Sequence, residues 1–241
     1  MIGSGRPRRF TRVALRAALA AAVGIGVGLV GAAAPAPAAE LSYVRLGHFS
    51  PDTPNVDVYL TSFSRPSWKM VLPGVGYGAL SPYERLVPDL YTVGMRAAGA
   101  APTSAPVISS AVRAASGGAY TVAGTGPYKA LGLTVIRDDL QLPPTGDSRV
   151  RVIQASVRAG SVTISAMGGP NISGPVTFAT TTPYATVPAG QWMLQVASTS
   201  QPSLTLRSGV QLSSGSVYTL LVLDAKDGGL QVVTRQAATS S

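Results

Sequence analysis

From Leu41 onward apolar residues alternate with period two, and the whole pattern is written twice along the chain. Tyr43-Val44-Arg45-Leu46 matches Arg149-Val150-Arg151-Val152, and each is followed by a second strand-like piece, Val56-Asp57-Val58-Tyr59 or Val162-Thr163-Ile164-Ser165. Tyr83 to Pro88 matches Tyr184 to Pro188, each leading into an aromatic strand at Tyr91 or Trp192. The best-matched pair is Ser116-Gly117-Gly118-Ala119-Tyr120-Thr121-Val122 and Ser214-Gly215-Ser216-Val217-Tyr218-Thr219-Leu220, and the copies close on Leu133-Thr134-Val135-Ile136 and Leu230-Gln231-Val232-Val233. The spacing between equivalents falls from 149 − 43 = 106 to 230 − 133 = 97, so the first copy holds 106 − 97 = 9 extra residues. These are expected in the loops between Ser50 and Gly78.

A duplicated unit of this size, without a long amphipathic helical window, points to an all-β chain of two tandem antiparallel β-sandwiches. Each is expected to be immunoglobulin-like or transthyretin-like, with about seven short strands. Turn signals separate the strands at Leu72-Pro73-Gly74, Gly168-Gly169-Pro170-Asn171 and Asp227-Gly228-Gly229. Alternation places Val150 and Val152 inward with Arg149 and Arg151 outward. The recurring Tyr83, Tyr91, Tyr120, Tyr184, Trp192 and Tyr218 read as core packing with satisfied hydroxyls. The expected boundaries are a first sandwich at 41–140, a Pro-rich linker at 141–148 stiffened by Pro143-Pro144, a second sandwich at 149–236 and a disordered tail at 237–241. One sheet pair shared by both halves is the alternative, because so short a link does not establish independence.

Residues 1–39 follow a different logic. Arg6, Arg8, Arg9, Arg12 and Arg16 form a basic region, Ala17 to Ala34 is uncharged, and Ala36-Pro37-Ala38 supplies small residues for cleavage after Ala38 or Ala39. This reads as an export signal, with an uncleaved anchor as the rival because the run has spanning length; Sec and twin-arginine routes both stay open. Removing the signal leaves 19 − 5 = 14 Lys and Arg against 10 acidic residues, a net charge near +4. Basicity then gives no support to nucleic-acid binding, and no cluster of cations interleaved with aromatics remains. Membrane association is expected only through the export signal. The absence of cysteine excludes disulfides and thiolate chemistry, so burial alone must hold the fold.

The stretch Val44-Arg45-Leu46-Gly47-His48-Phe49-Ser50-Pro51-Asp52-Thr53-Pro54-Asn55-Val56-Asp57-Val58-Tyr59 resembles the start of the family catalogued as domain of unknown function 4397. Its His-x-Ser-Pro-Asp-x-Pro-x-Val-Asp-Val run is specific, and later Tyr-to-Pro and Gly-x-Tyr-Thr segments extend the likeness over nearly all of residues 41–236. The resemblance implies an exported bacterial β-sandwich protein of actinobacterial type, and it implies no reaction. The second copy departs from the motif, with Gln154-Ala155-Ser156-Val157-Arg158 standing where His48 to Asp52 stand.

A hydrolytic Ser-His-Asp centre would have to use His48, the sole histidine, and carboxylates for glycoside cleavage would have to be recruited from Asp52, Asp57, Glu84 and Asp89, which nothing in the sequence pairs. Ser50 is two residues away but lacks a Gly-x-Ser-x-Gly elbow, and the residue after it is proline. One histidine, no cysteine and scattered aspartates supply no metal-ligand pattern, and no cofactor is expected. His48, Ser50, Pro51, Asp52, Pro54 and Asp57 therefore read as a structural corner in which carboxylates and the imidazole bond backbone groups of a Pro-rich turn. Phe63, Arg65, Trp68, Lys69 and Tyr77, in the longer loops of the first copy, form the candidate binding group, with a composition suited to a cell-wall glycan, peptide or anionic polymer. The expectation is a secreted or cell-envelope binding or structural module without catalytic activity; the alternative is a secreted hydrolase using His48.

Overall fold

The computed structural model describes residues 40–167 and 171–240. Residues 1–39, where an export signal is expected, residues 168–170, where a turn is expected, and Ser241 lie outside the described residues. Among the described residues no helix is long and apolar enough to cross a membrane.

The first half forms two sheets. β1 (Ser42–Phe49), β4 (Glu84–Leu86), β7 (Ala119–Thr125) and β8 (Gly132–Asp138) run in the order β4-β1-β7-β8. β2 (Val56–Ser62), β3 (Lys69–Val75), β5 (Asp89–Ala97) and β6 (Ile108–Ala114) run in the order β3-β2-β5-β6. The second half repeats this with β9 (Asp147–Gln154), β12 (Ala185–Pro188), β15 (Ser216–Asp224) and β16 (Leu230–Thr239) in the order β12-β9-β15-β16. Its other sheet contains β10 (Ser161–Ala166), β11 (Asn171–Thr177), β13 (Gly190–Ser198) and β14 (Thr205–Leu212) in the order β11-β10-β13-β14. Among the described residues the chain is thus all-β and built of two sandwiches, each with eight strands rather than about seven. All strand pairs are antiparallel except β1 with β7 and β9 with β15, which lie parallel at the centre of their sheets.

Alternation explains the two sandwich cores. Val44 and Leu46 of β1 meet Val58, Leu60, Tyr91, Val93 and Val112 from the opposite sheet. Their equivalents Val150 and Val152 meet Ile164, Leu194 and Val196, with Tyr218, Leu220 and Val222 alongside. Burying such a side chain contributes about 1.5–3 kcal/mol. Tyr91 and Trp192, at matching positions, donate to the carbonyls of Val87 and Pro188 at 2.7 and 3.0 Å, and the Tyr120 and Tyr218 hydroxyls accept the amides of Ala115 and Ser213.

Two sheets, β4-β1-β7-β8 and β12-β9-β15-β16, also face each other, enclosing Phe49, Ala123, Ile153, Ala155, Leu221 and Leu223. Strands β1, β7, β9 and β15 are consequently covered on both sides. This corrects the expectation that Arg151 points outward: it is 2% exposed, and Arg45 in the first repeat is 1% exposed. The alternation itself holds; the face opposite the core meets the other repeat instead of water. At the chain's far end, β16 continues to Thr239, with Ala238 opposite Val217, so residues 237–239 belong to a strand where a disordered tail was expected. β9 likewise begins at Asp147, inside the expected linker. The extra residues of the first repeat are also distributed differently: the connection at 98–107 is 10 residues long against 6 at 199–204, so 10 − 6 = 4 of them lie beyond Gly78.

Candidate functional site

The motif folds as a corner at the end of β1. The His48 Nδ1 accepts the Ser50 amide at 3.3 Å and the other ring nitrogen, Nε2, lies 3.2 Å from the Pro54 carbonyl, which assigns the neutral tautomer with its proton on Nε2. Burial pushes the imidazole below its ordinary pKa, opposed by the bond to Pro54. Ser50 Oγ is not aimed at the ring. It lies 2.5 Å from Thr53 Oγ1 and donates at 3.3 Å to Asp52 Oδ1, which also accepts the Tyr128 amide at 2.8 Å. Pro51 and Pro54 remove two amides from this turn, so side chains supply the bonds that the backbone lacks. Asp57, in β2, accepts the Gly74 amide at 2.7 Å and the Gly99 amide at 2.9 Å, and these bonds hold its carboxyl below the usual range.

The second repeat builds the same corner with different chemistry. Gln154, at the position of His48, accepts the Ser156 amide at 2.8 Å through Oε1 and donates through Nε2 to the carbonyls of Ser156 and Gly160, each at 3.1 Å. An amide thus performs the role of the imidazole. Where the two corners approach each other, a cleft of about 430 Å³ is lined by Pro51, Asp52 and Pro127 from one repeat and by Val157, Arg158 and Asp224 from the other.

Between the repeats lies a polar cluster that the sequence reading does not anticipate. Arg45 donates through Nε to Thr121 Oγ1 at 2.8 Å and through Nη2 to Thr219 Oγ1 at 2.9 Å. Arg151 pairs with Asp138, whose Oδ2 accepts Thr121 Oγ1 at 2.6 Å and the Tyr83 hydroxyl at 2.5 Å. The guanidiniums of Arg45 and Arg151 lie 4.7 and 4.9 Å from the ring centres of Tyr83 and Tyr184. Burial lowers the pKa of Arg45 and pushes the Tyr83 phenol far above its ordinary value. The signal was present in duplicate, as an arginine between apolar residues and a Thr and a Tyr at matching places; what the one-dimensional pattern lacks is the partner surface.

The five candidate binding residues separate. Tyr77 belongs to the junction: its hydroxyl donates to the Ala155 carbonyl at 2.9 Å and accepts the Asp224 amide at 2.8 Å, both in the second repeat. Trp68 packs against the first core, edge-on to Tyr91 with ring centres 5.7 Å apart at 71°. Phe63 is 69% exposed, and Arg65 and Lys69 are exposed with it. Phe63 pairs with Leu90 through its amide, and Lys69 lies opposite Thr61. Both therefore border the outer face of the sheet β3-β2-β5-β6. That face also carries Tyr59, Arg96 and Arg113, which the sequence reading left out; the Arg96 guanidinium sits 4.3 Å from the Tyr59 ring centre. Their alternation with the buried Val58, Met95 and Val112 assigns them to the outer side, but only the strand order brings them together. Among the described residues no group of three or more His, Cys, Asp or Glu is placed to hold a metal ion.

A family model described as "Domain of unknown function (DUF4397)" matches residues 42–165. It ends within β10, so the match is shorter than the 41–236 expected and leaves most of the second repeat outside. Among solved structures, the TIE protein of Bacillus anthracis is similar over 82% of this chain and 44% of its own, at 8% identity and a TM-score of 0.27; the chain thus spans less than half of that protein. A family CBM26 module of Amy13K from Eubacterium rectale, solved with maltoheptaose, is similar over 82% of this chain and 98% of its own at 11% identity and a TM-score of 0.27. A putative cell adhesion protein from Bacteroides uniformis covers 81% and 98% at 10% identity, also with a TM-score of 0.27. No curated protein matches the chain.

Proposed function

The chain belongs to the DUF4397 family, and we propose that it is a binding or structural β-sandwich module without catalytic activity, working outside the cell or in its envelope. The observation that carries the non-catalytic reading is the exchange of His48 for Gln154 between repeats. Both side chains accept the amide two residues ahead and bond a carbonyl of the following turn. A general base cannot be replaced by a carboxamide, whereas a fastener can. Ser50 Oγ is committed to Thr53 and Asp52, so among the described residues the imidazole has no hydroxyl nucleophile in hydrogen-bond contact.

The discriminating experiment is a screen of the purified protein and its His48→Gln variant against ester, peptide and glycoside substrates. Neither protein is expected to turn over any of them, and the variant should retain the wild-type circular-dichroism spectrum. Turnover by the wild type that disappears in a folded His48→Gln variant would establish the hydrolase reading instead.

A further inference from the structure

We propose that the outer face of the sheet β3-β2-β5-β6 binds a linear anionic glycan whose sugar rings carry carboxylates; this names a ligand class for the binding module proposed above and rests on that reading. Strand register arranges the outward-facing residues in rows, of which Asp57 and Gly94 are buried. Phe63, Leu90 and Arg113 form the first; Lys69, Thr61, Thr92 and Ala111 the second; Val71, Tyr59, Gly94 and Ser109 the third; and Asp57 with Arg96 the fourth. Two residues of strand advance about 7 Å, so the face runs about 20 Å from Arg113 to Arg96. That length accommodates a run of sugar rings.

Charge complementarity selects an anion. Among the described residues the side chains of Lys69 and Arg113 make no hydrogen bond or ion pair, and Arg96 uses only Nε, donating to the Ser104 carbonyl at 2.8 Å. Its two terminal nitrogens are left for a carboxylate, which a guanidinium engages bidentately. Asp57 is the one carboxylate in these rows, and its oxygens are filled by the Gly74 and Gly99 amides.

The rest of the face suits a sugar. The hydroxyls of Thr61, Thr92 and Ser109 lie between the cations, with the half-buried Tyr59 ring in the row between Val71 and Gly94. Lys69, Thr61 and Thr92 of the second row separate the apolar Phe63 and Leu90 of the first from Val71 and Tyr59 of the third, which breaks up the apolar surface a bilayer would need. The charge is not imposed by the fold: the matching face of the second repeat presents Gln191, Met193, Gln195, Gly209 and Gln211, with Arg207 as its cation.

Titration of the full-length chain with polygalacturonate at low ionic strength tests the proposal, with dextran as the uncharged polymer and phosphatidylglycerol vesicles as the competing anionic surface. Polygalacturonate is expected to bind with an affinity that falls as salt is added, and dextran far more weakly. The triple variant Lys69→Gln, Arg96→Gln, Arg113→Gln should lose about tenfold or more. Tyr59→Ala should weaken binding several-fold, while Arg207→Gln on the opposite repeat should leave it unchanged, with melting temperatures near that of the wild type in every case. Absence of polygalacturonate binding, binding indifferent to the triple variant, an equal loss in Arg207→Gln, or retention on the vesicles alone would overturn the site. New reducing ends appearing in the bound polymer would sink the non-catalytic reading and leave the site standing, so the two failures are distinguishable.

Discussion

His48 accepts the Ser50 amide on one ring nitrogen and bonds the Pro54 carbonyl with the other, so a proton added at Nδ1 breaks a hydrogen bond and places charge in a buried corner. Its folded-state pKa therefore lies below the ordinary value. Above the unfolded value, near 6.5, both states are neutral and the corner contributes fully. As pH falls through that value the unfolded chain takes the proton first, and stability declines until the folded pKa has been passed. Denaturant midpoints are expected to drop as pH falls through about 6.5, the unfolded value, and the drop should be largely absent in His48→Gln. A decline of the same size in the variant would remove His48 as its source. Asp57 and Asp89 do not interfere: amide bonds at Asp57 and the Ser62 and Ser64 hydroxyls at Asp89 lower their pKa values, so their contributions are lost only below the ordinary carboxylate range. The corner's role was legible in the sequence because proline-rich turns need side-chain acceptors. The fate of Tyr77 was not, since its partner amide lies 147 residues away.

The connection between β3 and β4 shows how far a single element departs from its local appearance. Its turn residues read as an exposed loop, yet the segment crosses to the second repeat as a strap. The Gly78 amide donates to the His48 carbonyl at 2.7 Å, the His48 amide donates to the Ala79 carbonyl at 3.0 Å, and the Tyr77 hydroxyl closes the contact with β15. Gly78 has φ of +77°, and an added Cβ would come within 2.6 Å of Leu223 Cδ1. Tyr77→Phe keeps the ring and removes the hydroxyl, leaving the Ala155 carbonyl and the Asp224 amide unpaired, at a cost of about 1–3 kcal/mol. Gly78→Ala adds left-handed backbone strain of about 1 kcal/mol or more and a side-chain clash. Thermal unfolding should show both variants melting below the wild type; an unchanged Tyr77→Phe would mean that the strap contributes nothing to stability. Strands were readable from alternation because their period is local. The strap was not, because its apolar contacts form only after both sandwiches exist.

At the scale of the whole molecule the decisive layer is the one between the repeats, where two buried guanidiniums share one carboxylate. Alternation correctly placed Arg45 and Arg151 away from the sandwich cores; reading "away from the core" as "toward water" was the error, because a duplicated chain can use its second copy as solvent-excluding surface. The cluster is nearly inaccessible, with the paired side chains 2% and 0% exposed. Asp138→Asn removes the only carboxylate among the described residues joined to these arginines by a salt bridge and should cost about 3–5 kcal/mol, while replacing Arg45, Arg151 and Asp138 together by apolar residues should cost much less or stabilise, since burying the three charges is itself expensive. We propose further that the repeats unfold together, because β1, β7, β9 and β15 each serve two cores at once. Urea denaturation of the wild type is then expected to give one transition by tryptophan fluorescence and by circular dichroism alike, although Trp68 and Trp192 report on different sandwiches. In Asp138→Asn the transition should move to lower urea, and any splitting into two should appear there first. Two separate transitions in the wild type would show that each sandwich stands alone and that the buried cluster only aligns them. A triple apolar variant less stable than Asp138→Asn would show that the ion pairs contribute more than their desolvation costs.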